Sequence, residues 1–192
     1  MYEYIFGNIT SLEPTQLVVE AAGVGYLLEI SLNSYDRLRN CGEEKVKMLV
    51  HEVIREDEHL LYGFCDESER SMFRLLIGVN GVGVATARVM LSSMSVDELR
   101  NAIASQDVKT IQRVKGIGSK TAQRIALELQ DKVGGVSHDV HSSPAQGSLN
   151  KTEALSALTM LGFQRAAADK VLQTLSSDLS VEELIKEALK RL

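Results

Sequence analysis

"VNGVGVATARVML" (residues 79–91) and "VKGIGSKTAQRIA" (residues 114–126) are two copies of one unit, offset by 35 residues. Valine, both glycines, threonine and alanine coincide at 79/114, 81/116, 83/118, 86/121 and 87/122, and Val82 falls on Ile117. Each copy follows one stretch of helical period and opens another, so the unit reads helix, G-h-G hairpin, helix. The glycines permit a tight turn with positive φ and let another backbone come close. The hydrophobe between them plugs the core, and the small Ala87 and Ala122 allow close helix packing. The following helix then presents free N–H groups and the positive end of its dipole, which suits an anion.

Which anion is decided by the surroundings. "VKGIGSKT" (114–121) departs from the nucleotide-binding loop G-x-x-x-x-G-K-[ST]: Ser119 precedes Lys120, and the residues before the loop look helical where such a loop needs a buried strand. The chain carries a net charge of −5, unevenly spread. Residues 1–64 are net −6, residues 65–133 net +2 and residues 134–192 net −1. Within 108–127 stand Lys109, Arg113, Lys115, Lys120 and Arg124 and no acidic residue. The glycine loop thus sits in the most basic stretch of an acidic protein. Paired helix-hairpin-helix units of this kind grip duplex phosphates without reading bases. The absence of Phe, Tyr and Trp from 74 to 133 favours duplex over single strand, because nothing there can stack on bases.

Around this centre the chain falls into further parts. Residues 1–64 read as five short strands ("YIFGNI", "QLVVEAAGVGYLLEI", "KVKMLVHEVI", "HLLYGF") closing a small barrel, with all five tyrosines as its packing. Residues 65–133 form the helical domain; Asp66 with Glu69 and Ser95 with Glu98 read as capping boxes. Residues 134–149, rich in Gly, Ser, His and Pro, read as a flexible linker. Residues 150–192 read as three short helices, with capping boxes at Asn150/Glu153 and Ser180/Glu183 and a stop at Gly162. The fold class is therefore multidomain α+β.

Other chemistries are poorly supported. Cys41 and Cys65 read as reduced thiols of a cytoplasmic protein, no run of 18 apolar residues offers a membrane span, and the start lacks a signal-peptide pattern. Neither His51 with His59 nor His138 with His141 has convincing metal-ligand spacing. No cofactor and no catalytic residue is expected. The dense carboxylates Glu56, Asp57 and Glu58 lie on a predicted hairpin turn beside Arg55, a poor place for Mg²⁺. Such a turn is either a solvated loop or a device that repels phosphate, by about 1 kcal/mol per charge pair at 4 Å in water.

Taken in order, "GVGY…REDEHLLYGF…NGVGVATARVML…VKGIGSKTAQRIALEL" closely resembles the RuvA family, the Holliday-junction-binding subunits of bacterial branch-migration machines. The resemblance spans essentially the whole chain. It implies an N-terminal OB-fold barrel, a central domain with two helix-hairpin-helix motifs and a mobile C-terminal domain that engages a RuvB-type hexameric ATPase. It also implies a homotetramer or octamer around four-way junction DNA, a RuvC-type resolvase as further partner, and roles in recombination, repair and the SOS response. By position, Glu56 and Asp57 would be acidic pins and Arg55 a neighbouring DNA contact. Asn80, Gly81, Val82 and Gly83 would grip one stretch of duplex, and Gly116, Ile117, Gly118, Ser119 and Lys120 another, assisted by Arg124. The chain departs from the family pattern at Ala85 and Ser119, where lysines are usual, leaving the first hairpin its amides and Arg88. The leading reading is a non-enzymatic scaffold that opens the junction for a motor; the alternatives are a repair enzyme and a protein-binding adaptor.

Overall fold

The computed structural model describes residues 1–42, 44–133, 146–176 and 179–192, the first four residues of the last helical domain by backbone alone. It divides into two compact units, Met1–Ser137 and His138–Leu192.

The first unit begins with five strands, β1 (Tyr4–Glu13), β2 (Gln16–Ala21), β3 (Val24–Glu29), β4 (Lys45–Ile54) and β5 (His59–Phe64). They close into the five-stranded barrel that the sequence predicts, in the order β1-β2-β3-β5-β4. Closure depends on β1 serving two neighbours. Its first half, Tyr4–Asn8, pairs with β4, and from Asn8 onward it pairs with β2, with a register shift between Ile9 and Ser11. Gly7 sits at the crossover, where a Cβ would meet the Glu20 carbonyl oxygen at 2.0 Å. Alternate side chains point inward, and Leu17, Val19, Leu28, Ile30, Met48 and Val50 are almost wholly buried.

Two expectations for this region need correction. A helix, α1 (Leu32–Cys41), capped by Ser31 and ended by left-handed Gly42, stands between β3 and β4. The tyrosines are not all packing: Tyr62 is buried, whereas Tyr2 and Tyr4 are exposed. Tyr4 points outward because its neighbour Ile5 takes the inward position on β1, and it carries Lys47 Nζ over its ring at 4.3 Å.

Helices α2 (Glu67–Ile77), α3 (Val84–Ser93), α4 (Val96–Ala104), α5 (Val108–Gln112) and α6 (Ser119–Val133) complete the first unit. They are joined to the barrel by a shared core rather than a bare tether. Phe73 of α2 packs on Tyr62 and Phe64 of β5 with ring centroids 5.1 and 5.0 Å away, and on His51 at 5.5 Å. Burial and the nearby Arg74 and Arg70 hold His51 below its ordinary pKa. Around this core run polar ties. Arg70 donates to the carbonyls of Glu3 and Val50 and pairs with the carboxylates of Glu3 and Glu67. Asn33 of α1 donates to the carbonyls of Leu91 and Met94 at 2.6 and 3.0 Å.

Capping follows the sequence closely, with two exceptions. Ser95/Glu98 and Ser180/Glu183 form the expected reciprocal boxes. Asp66 caps α2, but Glu69 does not reach back. Its carboxylate is buried and accepts the hydroxyls of Ser31 and Ser34, the latter at 2.7 Å. Burial pushes the Glu69 carboxyl above its ordinary pKa against the pull of these two donors.

The second unit holds α7 (Gln146–Met160), α8 (Arg165–Gln173) and α9 (Val181–Leu189) around Ala154, Leu158, Ala168, Leu172, Leu175, Leu184 and Ala188. Residues 134–145 of the expected linker lie outside the described residues. Helix α7 begins at Gln146, so Asn150 lies within it and is no N-cap; its Nδ2 instead donates to the Leu179 carbonyl at 3.0 Å. Gly162, with φ +98°, ends the α7 turn as expected.

Candidate nucleic-acid interface

The two glycine units have one backbone skeleton. Val82 N–H donates to Val79 O at 3.0 Å and Ile117 N–H to Val114 O at 3.1 Å, each closing a hairpin. Ala87 N–H reaches Gly83 O and Ala122 N–H reaches Gly118 O, both at 2.9 Å, opening α3 and α6. Gly81 and Gly116 both take φ +92°, a left-handed conformation that a side chain would strain. Val82 and Ile117 are buried plugs, and Ala87 and Ala122 are fully buried where the helices meet. Of the expected binding residues, Val82 and Ile117 can therefore offer only backbone. Asn80, Gly81, Gly83, Gly116, Gly118, Ser119 and Lys120 are all exposed.

The second glycine of each pair plays a different part. Gly83 has φ −85°, the φ of Gly118 is outside the left-handed region, and a Cβ at either would meet nothing within 4 Å. The fold does not require glycine there. The contrast with the other helices of this unit is direct. The side chains of Ser31, Asp66, Ser95 and Asp107 each accept a first-turn amide of α1, α2, α4 and α5. Gly83 and Gly118, whose carbonyls accept the amides of Ala87 and Ala122, have no side chain, so the first amides of α3 and α6 find no side-chain cap among the described residues.

Beside the hairpins, cations without an ion-pair partner stand only at the second one and on the α5 segment before it, among the described residues. Lys109, Arg113, Lys115 and Lys120 are exposed, and none is ion-paired among the described residues. Ala85 occupies the position equivalent to Lys120. Arg88, expected to assist the first hairpin, is committed elsewhere: it pairs with Glu29 of β3 and donates to the Thr15 carbonyl at 3.3 Å. Arg124 also has a partner, donating from Nη1 to the Asn80 carbonyl at 2.8 Å. Sequence reasoning missed both bonds, because each joins residues 44 or more positions apart without any local pattern.

The acidic turn is a tight, exposed connection between β4 and β5. Arg55 N–H donates to Glu58 O at 2.8 Å, and Arg55 Nη1 lies 3.3 Å from Glu58 Oε2. The pairing satisfies Glu58 and leaves Glu56 and Asp57 exposed without a partner among the described residues. Arg55 is thus held within the turn rather than standing free.

Among the described residues no three His, Cys, Asp or Glu side chains gather as metal ligands, and His138 and His141 lie outside them. A cleft of about 490 Å³ between α4 and α5 includes Glu98 and Asp107, but both carboxylates are engaged in helix caps, Glu98 accepting the Ser95 N–H and Asp107 the Thr110 N–H. Cys41 and Cys65 are free thiols. No helix among the described residues is long and apolar enough to cross a membrane.

Comparison with known proteins gives three family matches in chain order. Residues 1–63 match the RuvA N terminal domain, residues 73–131 the SAM-like helix-hairpin-helix tandem, and residues 150–192 the RuvA C-terminal domain. Proteins named Holliday junction branch migration complex subunit RuvA are similar over their whole length. Those of Christiangramia forsetii and Flavobacterium psychrophilum are 47% and 45% identical over 195 residues, covering all of both chains. That of Bacteroides fragilis is 42% identical over 205 residues, again with full coverage of both.

Proposed function

Because the chain belongs to the RuvA family, we propose that it binds four-way junction DNA without sequence preference and serves as the DNA-holding subunit of a branch-migration complex. One observation carries the reading: the two helices that open at G-h-G hairpins have glycine caps, while their neighbours in the same unit have side-chain caps. Uncapped first-turn amides at a positive dipole end are donors for phosphate oxygens. The open space at Gly83 and Gly118 lets a sugar–phosphate strand come against the backbone. Lys115 and Lys120 add charge at the second hairpin, and their ion pairing with phosphate makes binding fall with salt.

Glu56 and Asp57 oppose phosphate where the hairpins attract it. Held on the same compact unit, they favour DNA whose strands part at the acidic turn over an unbroken duplex. Four arms call for four copies of the hairpin pair, hence a homotetramer, or an octamer if two tetramers enclose the junction. The second unit supplies the link to a RuvB-type ATPase, which performs the hydrolysis. It has its own core and exposes Met160, Leu161, Leu189 and Leu192, an apolar complement suited to a protein partner. A RuvC-type resolvase is a further partner in this reading.

The test is a gel-shift comparison of four-way junction, linear duplex and single strand, with Mg²⁺ present and the products resolved. Junction preference without cleavage supports the scaffold; cleavage, or equal affinity for all three, rejects it.

A further inference from the structure

The two hairpins share a backbone but not their surroundings, and the difference lies in α6. From that helix Thr121 and Arg124, three residues apart and so on one face, reach across to the first hairpin. Arg124 Nη1 donates to the Asn80 carbonyl at 2.8 Å, and a Cβ on Gly81 would lie 3.8 Å from Thr121 Oγ1. The reverse reach does not exist. Under the 35-residue offset the counterpart of Arg124 is Val89, which has no donor and is 40% exposed. The counterpart of Gly81 is Gly116, whose Cβ would meet nothing within 4 Å.

We infer that Arg124 is a positioning residue for the first hairpin, fixing the Asn80 peptide so that the Gly81–Gly83 segment is presented in one conformation, and is not itself a phosphate ligand. This inference rests on the DNA-binding reading above and refines it. The second hairpin has Lys115 and Lys120, two exposed cations that draw phosphate directly. The first has Ala85 where the second has Lys120, and Arg88 is bound to Glu29. Lacking cations of its own, it depends on pre-ordered amides, since donors already in place lose less conformational freedom on binding. The guanidinium also lies 3.8 Å from Glu128 Oε1, one turn along α6. That exposed pair contributes little energy but favours the rotamer that faces Asn80.

Two measurements on full-length Arg124→Ala decide the matter, with Lys120→Ala as reference. Amide hydrogen exchange is read first, without DNA: Arg124→Ala is expected to accelerate exchange at Val82, whose N–H closes the first hairpin on Val79 O, while leaving its counterpart Ile117 as in the parent. Junction affinity is then read across a salt series. Arg124→Ala is expected to weaken binding about fivefold, the effect of one lost hydrogen bond, at every salt concentration. Lys120→Ala is expected to lower the salt slope by about one counterion. Unchanged exchange at Val82, or a salt slope lowered by Arg124→Ala as much as by Lys120→Ala, overturns the inference and makes Arg124 a phosphate ligand. Failure of the parent protein to bind junction or duplex rejects the proposed function, while the exchange experiment still decides whether Arg124 orders the hairpin.

Discussion

Arg55 and Glu58 close the β4–β5 turn twice, by a main-chain hydrogen bond of 2.8 Å and a side-chain ion pair of 3.3 Å. The double closure presents Glu56 and Asp57 at the tip as two uncompensated charges. Replacing them, as Glu56→Gln with Asp57→Asn, is expected to tighten binding to linear duplex, roughly fivefold for each charge that lies near phosphate. The preference for junction over duplex should shrink accordingly in competition gel shifts. Loss of affinity for both substrates would show that the turn attracts DNA instead of repelling it.

Glu69 gives a pH dependence whose sign can be stated. Burial raises its folded-state pKa, so the stability its protonated form contributes is complete below the ordinary carboxylate pKa. It is lost as pH rises through the elevated one. Asp66, Glu67 and Glu3 shift the other way, their pKa values lowered by partners that include Arg37 and Arg70, and contribute stability that is lost in acid. In Glu69→Gln the first component disappears. The stability difference between variant and parent, measured by urea unfolding, should move in favour of the variant as pH rises from acid towards neutrality. Parallel curves would show that Glu69 titrates as it does in the unfolded chain.

The first glycine of each hairpin is a requirement of the backbone. Gly116→Ala places a Cβ at φ +92° and is expected to cost about 1–2 kcal/mol. A fall of several degrees in the thermal midpoint should accompany it, and Gly81→Ala should behave alike. An unaltered midpoint in both would mean that the hairpins relax without strain.

The second unit should be separable. Removing residues 150–192 deletes the core built on Leu158, Leu172 and Leu184 without touching that of the first unit. Junction affinity is expected to stay within about twofold of the parent, while ATP-driven migration by a RuvB-type motor is lost. Leu161→Asp, at an exposed apolar position, should reproduce the second effect without unfolding the domain. Motor-driven migration that persists in the truncated protein would refute the assignment.

Much of the fold could be read along the chain because its signals are local. The repeat of "VNGVG" and "VKGIG" located both hairpins, alternation located the strands, and Ser95/Glu98 and Ser180/Glu183 announced their helices. Helix α1 is hard to read from the sequence although Ser31 and Gly42 frame it, because Leu32, Tyr35 and Leu38 are its few large apolar side chains in a short, mostly polar segment between two strands. Pairings over long sequence separations were not legible. Nothing near Arg124 points to Asn80, nothing near Arg88 points to Glu29, and Glu69 looked like a capping residue until the fold placed it against Ser31 and Ser34. The candidate site was visible as a motif, but which of its arginines are free is a property of the packed structure.

The most direct measurement is made on Gly83→Ser combined with Gly118→Ser, comparing thermal stability with junction affinity in one preparation. Serine has room at both positions, and as an N-cap it supplies the amide partner that glycine withholds, for a gain of a few tenths of a kcal/mol at each helix. If phosphate is held by those amides, the variant unfolds no earlier than the parent yet binds the four-way junction at least tenfold more weakly. Full junction affinity in a variant at least as stable as the parent would contradict the account.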